Sequence, residues 1–289
     1  MAKNSMIGRY TSGKVKDFAL KSALDENGEP TEGFEKVVSK VLDIQRPLVL
    51  KHIQNVAAKN PELTAEQIAE RLGQQYLNTV TGAGAAVGGT AIVPGVGTVA
   101  ALGLSAAATV GFMEATALYA QSLAELHGIT MEDPQRAETL VMALMLGDDA
   151  KELLREAAAK AGRPYDPQSS LNALAGTASG TGISAFVVDR LKRTFMRKML
   201  LRQGAGFVGR AVPFGVGAVI GGVGNRAMGK AVMENAAELF SPLPMVIPGE
   251  IREGAAQGRA DGTKDDGGVF GAIRRALPGG KDEKDKPAA

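Results

Sequence analysis

The feature that most constrains this chain is a run of 42 residues without a charged side chain, from Leu72 to Met113. Its length would accommodate one or two bilayer spans of about 20 residues each. Glycine, alanine and threonine fill it, however, as in TGAGAAVGGTAIVPGVGTVAALG at residues 81–103. Such small residues let helix backbones approach one another closely. We therefore expect a helical hairpin that is broken at Pro94 to Gly97 and whose second arm ends near Leu126.

The glycine-rich stretch favours helix packing over a nucleotide site. GAGAAVG at 82–88 matches a loosened dinucleotide fingerprint, but an amphipathic helix precedes it where a strand is required, and no acidic residue follows about 20 residues later. The glycine-rich runs also lack the GK[ST] element of a P-loop. AGTASGTGI at 175–183 is similar to a dehydrogenase turn, but the Tyr-xxx-Lys pair expected after it occurs only upstream, at Tyr10 and Lys14. We predict no cofactor.

Charge and composition exclude several other classes of function. Lysine plus arginine total 33 against 31 aspartate plus glutamate, so the chain as a whole has no field that favours nucleic acid. Cysteine is absent and only His52 and His127 are present, which excludes thiolate catalysis and Cys-rich or His-rich metal sites. Neither histidine has an evident acid or nucleophile near it in sequence. The first 18 residues lack the apolar segment of a secretory signal, so we expect cytoplasmic residence.

Periodicity and capping signals predict an all-α helical bundle with Gly/Ala-rich hairpins. Pro47 divides a helical pattern that starts near Phe34. Thr64, with Gln67 three residues later, is a capping box, and Asp133 followed by a proline marks another helix start. No segment alternates with the period of a strand. Residues 1–30 are predicted to be a flexible leader, 31–248 the helical domain, and 249–289 a disordered tail.

One short segment of the predicted tail is amphipathic. In GGVFGAIRRALPGG, Phe270, Ile273 and Leu277 recur at helical spacing beside Arg274 and Arg275. We expect this segment to fold on a partner or a membrane surface.

Small residues at helical spacing predict close helix contacts in two regions. Along the second arm of the hairpin they are Gly103, Ala107 and Gly111. The segment VPFGVGAV at 212–219 echoes VPGVGTVA at 93–100, which we interpret as a weak internal repeat. The predicted packing positions of the second region are Gly217, Gly221, Gly229 and, between them, Asn225.

Glu114 is the first charge after the long uncharged run, and helical spacing places it on one stripe with Gln121 and Glu125. A buried carboxylate there would be a functional candidate. The alternatives are an ion pair, with Arg210 or Arg226, or exposure to water.

The strongest local charge lies in SAFVVDRLKRTFMRKMLLR at 184–202, where six basic residues accompany one acid, Asp189. A helical wheel places Val188, Leu191, Phe195 and Met199 on one face and basic residues on the opposite face. The basic face is either solvated and paired with acidic helices such as DDAKELLREA, or turned toward anionic lipid. The candidate membrane-contacting residues are Arg190, Lys192, Arg193, Arg197 and Lys198.

The order of four segments resembles the EcsC family, especially its actinobacterial-type members, over residues 45–245. The segments are NPELTAEQIAERL, the glycine-rich stretch at 81–103, EATALYAQSLAELHGITMEDPQRAETLVMALMLG and VPFGVGAVIGGVGNRAMGKAV. The positions that match are Pro94, Gly95 and Gly97 of a PGxG turn, Asp133 and Pro134 of an EDP helix start, and Gly221, Gly222 and Asn225 of a GG-x-x-N element. The resemblance implies a helical, Gly/Ala-rich protein and transfers no reaction, cofactor or substrate.

These observations predict a non-enzymatic accessory or interaction protein at the inner face of the cell membrane. Its expected partners are anionic lipid and a membrane protein, with no nucleic acid and no metal. The alternative is a soluble helical module that encloses an apolar or lipid-like ligand, if the hairpins leave a cavity. The sequence offers no catalytic residue.

Overall fold

The computed structural model describes residues 30–90, 98–175, 185–208 and 216–260. These ranges contain ten helices and no strand, which confirms the all-α prediction. The first five helices are α1 Glu32–Leu42, α2 Arg46–Lys59, α3 Ala65–Thr90, α4 Thr98–Leu126 and α5 Pro134–Leu146. The other five are α6 Asp148–Lys160, α7 Pro167–Ala175, α8 Ala185–Val208, α9 Val216–Leu239 and α10 Gly249–Ala260.

Several helices begin and end where local chemistry predicts. The Thr64 side chain accepts a hydrogen bond from Gln67 N at 3.3 Å, and Gln67 Oε1 accepts one from Thr64 N at 3.0 Å, which is the expected capping box. Asp133 Oδ1 accepts from Gln135 N at 2.9 Å at the start of α5. Gly147 follows the last residue of α5 with a φ of +61°, a conformation that side chains disfavour.

Helices α3 and α4 pack together around Tyr76. Its ring stacks on Tyr119 with centroids 4.9 Å apart, and its hydroxyl lies 3.0 Å from Thr116 Oγ1. The second arm ends at Leu126, as predicted. The predicted break at Pro94 to Gly97 lies outside the described residues, between the two helices.

Helix α9 runs antiparallel along α3, and glycines make the close approach possible. A Cβ at Gly229 would lie 2.9 Å from Val80 Cγ2, and one at Gly222 would lie 3.3 Å from Ala85 Cβ. Between these two glycines Asn225 Nδ2 donates to Val80 O at 3.1 Å. This interface joins two segments about 145 residues apart in the chain, and two of the predicted packing positions, Gly229 and Asn225, lie in it.

The remaining helices surround this centre. Helices α4 and α5 contribute many of the buried apolar side chains, and α8 packs on α5 and α6. Helix α10 lies against α2 and buries Ile251 and Ala255.

The prediction of disorder from residue 249 onward was therefore wrong for 249–260. This polar segment buries Ile251 and Ala255, and Glu250 contacts α2 through an ion pair with Arg46 and a hydrogen bond from Gln54 Nε2 to its carbonyl oxygen. Residues 1–29 of the leader predicted at 1–30 and the amphipathic segment around Phe270 lie outside the described residues.

Candidate functional site

Helix α8 presents Arg190, Arg193 and Arg197 to solvent and an apolar side to the core. Leu191 and Phe195 are buried, as predicted, whereas Val188 and Met199 are only partly buried. Val187 and Met196 are buried in addition, so the buried face is broader than the wheel predicted. The physical reason is that α8 contacts two helices, α5 and α6, and not one flat surface.

Two of the five predicted membrane-contacting residues, both on the flanks of α8, form ion pairs with neighbouring helices. Lys192 Nζ lies 3.2 Å from Glu35 Oε2 on α1, and Lys198 pairs with Asp149 on α6. The Lys198–Asp149 pair matches one of the two alternatives given for the basic face, pairing with the acidic helix DDAKELLREA. These two lysines therefore form ion pairs that link α8 to α1 and to α6.

Arg190, Arg193 and Arg197 form an exposed line on the outer side of α8, here called the arginine stripe. Arg193 pairs with Asp189 one turn earlier, and both side chains are more than half exposed. At the start of the stripe the Phe186 side chain is 59% exposed, and its ring centroid lies 5.9 Å from Lys160 Nζ. The stripe thus combines three cations with an aromatic ring at one end.

One acidic residue of α6, Glu156, lies near the first arginine of the stripe. The hydrogen bond from Lys160, followed by the charges of Lys160 and Arg190, lowers the pKa of the exposed Glu156 carboxyl. One carboxylate therefore offsets part of the charge at this end of the stripe.

Glu114 is buried on α4, with 6% of its surface exposed. Burial raises the pKa of its carboxyl to about 7, because the charged form loses hydration. Arg226, one of its predicted partners, is exposed on α9 and forms no ion pair with it, and Arg210 lies outside the described residues. Gln121 and Glu125, predicted to share its stripe, are also buried.

The partner of Glu125 is Arg46, a residue that the sequence did not single out. Arg46 Nε and Nη2 donate to the two Glu125 oxygens at 2.7 and 3.0 Å, and Nη2 also donates to Glu250 Oε2 at 2.7 Å. The hydrogen bond to Glu125, then that to Glu250, raises the pKa of the guanidinium. This network joins α2, α4 and α10. Pairing across 79 residues leaves no local sequence signal.

The predicted packing residues are only partly described. Gly111 is buried on α4, and Asn225 is half-buried at the contact with α3. The side-chain surroundings of Gly103, Ala107, Gly217 and Gly221 fall outside the described residues, as do Pro94, Gly95 and Gly97. The residues seen at the α3–α9 contact are Gly222, which the prediction placed only in the GG-x-x-N element, and Gly229.

Residues 82–88, the loosened nucleotide fingerprint, lie inside helix α3. A nucleotide loop needs free backbone N–H groups at the start of a helix, whereas those of a helix interior bond to carbonyls one turn earlier. The interpretation as a packing element is consistent with this position.

His127 has a structural environment. Its Nδ1 and Nε2 atoms lie 2.9 and 2.8 Å from the carbonyl oxygens of Leu123 and Phe240. The ring therefore links the end of α4 to the end of α9.

The described surface includes two clefts of different character. One is an open, polar groove of about 380 Å³ beside the start of α5, lined by Thr130 to Asp133 and Arg136. The other is an apolar crevice of about 20 Å³ between α5, α6 and α9, about the size of one water molecule. Neither has the combination of volume and apolar lining that a lipid-like ligand requires.

No protein-family model matches the chain, and neither a curated protein nor a solved structure is similar to it. In the part of the chain that the structure describes, no helix combines the length and apolarity needed to cross a bilayer. Across the same residues, no three His, Asp or Glu side chains are grouped to hold a metal ion.

Proposed function

We propose that this chain is a non-enzymatic helical accessory protein that associates reversibly with an anionic membrane surface at the cytoplasmic face. The observation that carries the proposal is the arginine stripe, three exposed cations in succession on a helix whose opposite side is buried. A membrane protein is the proposed second partner. Membership of the EcsC family, suggested by the sequence resemblance, belongs to the same proposal.

The expected strength of this association is moderate. Each arginine near an anionic surface contributes about 1 kcal/mol, so the stripe supplies about 3 kcal/mol before the offset from Asp189 and Glu156. Such binding is reversible and weakens as salt shortens the range of the field. The aromatic ring of Phe186 suits the interface between headgroups and acyl chains.

Vesicle cosedimentation tests the proposal. Wild type should sediment with vesicles of phosphatidylserine and phosphatidylcholine in equal parts, and not with phosphatidylcholine alone. Reversal of the stripe by Arg190→Glu, Arg193→Glu and Arg197→Glu should abolish the anionic preference. A matched control changes net charge equally at exposed positions elsewhere, namely Lys51→Glu, Arg71→Glu and Lys230→Glu.

Two results would contradict the proposal. One is equal sedimentation of wild type and the stripe variant, and the other is binding that added salt does not weaken. A protein that stays in solution but carries extractable lipid would favour the apolar-ligand alternative.

A further inference from the structure

The connection between α9 and α10, residues 241–248, exposes two apolar side chains to solvent. Met245 is 99% exposed and Val246 is 69% exposed. Leu243 and Ile247, on either side of this pair, pack partly against the core. We refer to residues 241–248 as the apolar loop. Most large apolar side chains of the described chain are buried, so this pair departs from the general pattern.

Both ends of the apolar loop are fixed to the bundle. Before it, Phe240 is buried, and its carbonyl oxygen lies 2.8 Å from His127 Nε2. After it, Pro248 O accepts hydrogen bonds from Ile251 N at 3.1 Å and Arg252 N at 3.2 Å at the start of α10. Prolines 242, 244 and 248 restrict the backbone further. The two exposed side chains are therefore displayed on an ordered support, which lowers the entropy lost on binding.

We propose that the apolar loop inserts Met245 and Val246 into the interfacial region of a lipid bilayer. This inference rests on the proposed function, because it adds an apolar contact to the electrostatic one. The sequence of the loop suits lipid for two reasons. From Leu239 to Gly249 there is no charged residue, and three of the eight loop residues are prolines, which have no backbone N–H to dehydrate.

Helix α6 connects the loop with the arginine stripe. Lys198, next to the last arginine of the stripe, pairs with Asp149, and Lys151 Nζ lies 2.5 Å from Glu238 Oε2, just before the loop. The end of the stripe and the base of the loop are thus attached to the same first turn of α6. Reversible membrane binding becomes more stable when two such signals act together.

A protein is a less favoured binding partner for the apolar loop than lipid. Directional hydrogen bonds provide much of the specificity of protein contacts, and the side chains at the loop tip, Met245 and Val246, supply none. Lipid requires only apolar surface at this depth.

A single tryptophan reporter tests the insertion, because the chain contains no tryptophan. In the full-length Met245→Trp variant, anionic vesicles should shift tryptophan emission to shorter wavelength, and brominated acyl chains should quench it. The control is Val223→Trp, at a position on α9 that is 62% exposed, and its emission should not change. Sedimentation of Met245→Trp with vesicles without an emission shift would overturn the inference, as would equal shifts at both positions.

A second pair of variants measures the contribution to binding. The double variant Met245→Asp and Val246→Asp should reduce partition into anionic vesicles by about tenfold or more, since two apolar side chains leave the interface. Val223→Asp should leave partition unchanged. Circular dichroism and melting temperature establish that each variant is folded. Unchanged partition of the folded double variant, or its loss of a protein partner with vesicle binding intact, would overturn the inference.

The same measurements separate this inference from the proposed function. If reversal of the arginine stripe leaves binding unchanged while the emission of the Met245→Trp variant still shifts, the stripe is rejected and the loop is supported. If reversal abolishes the anionic preference while the emission of Met245→Trp never shifts, the stripe is supported and the loop is rejected.

Discussion

Replacement of Gly229 by alanine should destabilise the protein, although the same change at Gly224, on the same helix, should stabilise it. A Cβ at Gly229 would lie 2.9 Å from Val80 Cγ2 and 3.1 Å from Leu77 Cδ1. Val80 is fully buried and branched at Cβ, so it has little freedom to move away. A Cβ at Gly224 would meet no atom within 4 Å.

The magnitude follows from two opposing effects. Alanine in place of glycine in a helix interior stabilises by about 1 kcal/mol at either position. At Gly229 the added methyl group also overpacks the α3–α9 contact, which costs about 1 to 3 kcal/mol. Gly224→Ala should therefore gain about 1 kcal/mol, while Gly229→Ala should lose up to about 2 kcal/mol. Because the helix-propensity effect is common to both, the difference between the variants measures the packing cost.

Urea unfolding followed by circular dichroism provides the comparison. Both variants should show the wild-type m-value, so that a change in midpoint reports stability alone. The midpoint of Gly229→Ala should fall below that of wild type, and that of Gly224→Ala should rise above it. If Gly229→Ala is as stable as Gly224→Ala, the close contact between α3 and α9 is refuted.

Three further predictions use the same unfolding assay. Because burial raises the pKa of Glu114 from 4.5 to about 7, the unfolded chain releases this proton first, and stability falls as pH rises from 4.5 to about 7. Glu114→Gln should reduce this loss between pH 4.5 and about pH 7, and equal pH profiles of the two proteins would contradict the prediction. Arg46→Met should cost about 3 to 5 kcal/mol, because Glu125 remains buried without its cation, whereas Glu250→Gln should cost less than about 1 kcal/mol; similar costs would contradict the assignment. Thr64→Ala should cost about 1 kcal/mol through loss of the cap, and an unchanged midpoint would show that the capping bond contributes nothing.

The helices themselves were largely predictable from sequence. The capping box at Thr64, the proline after Asp133 and the glycine at 147 act within one helical turn, so their effect depends on a few neighbouring residues. The exposed arginines of α8 were also predictable, because their spacing alone places them on one side of the helix. Gly217, Gly221 and Gly229 predicted close helix packing, but not the helix that this face contacts.

Tertiary structure decided which surfaces meet. The sequence predicted residues 249–260 to be part of a disordered polar tail. The segment buries only Ile251 and Ala255, and it is a helix that docks on α2. Arg46 acquires its importance from Glu125, which is 79 residues away in the chain. A cap stabilises its helix by a local hydrogen bond that sequence spacing predicts, whereas these contacts depend on the relative positions of helices that pack only when the whole core forms.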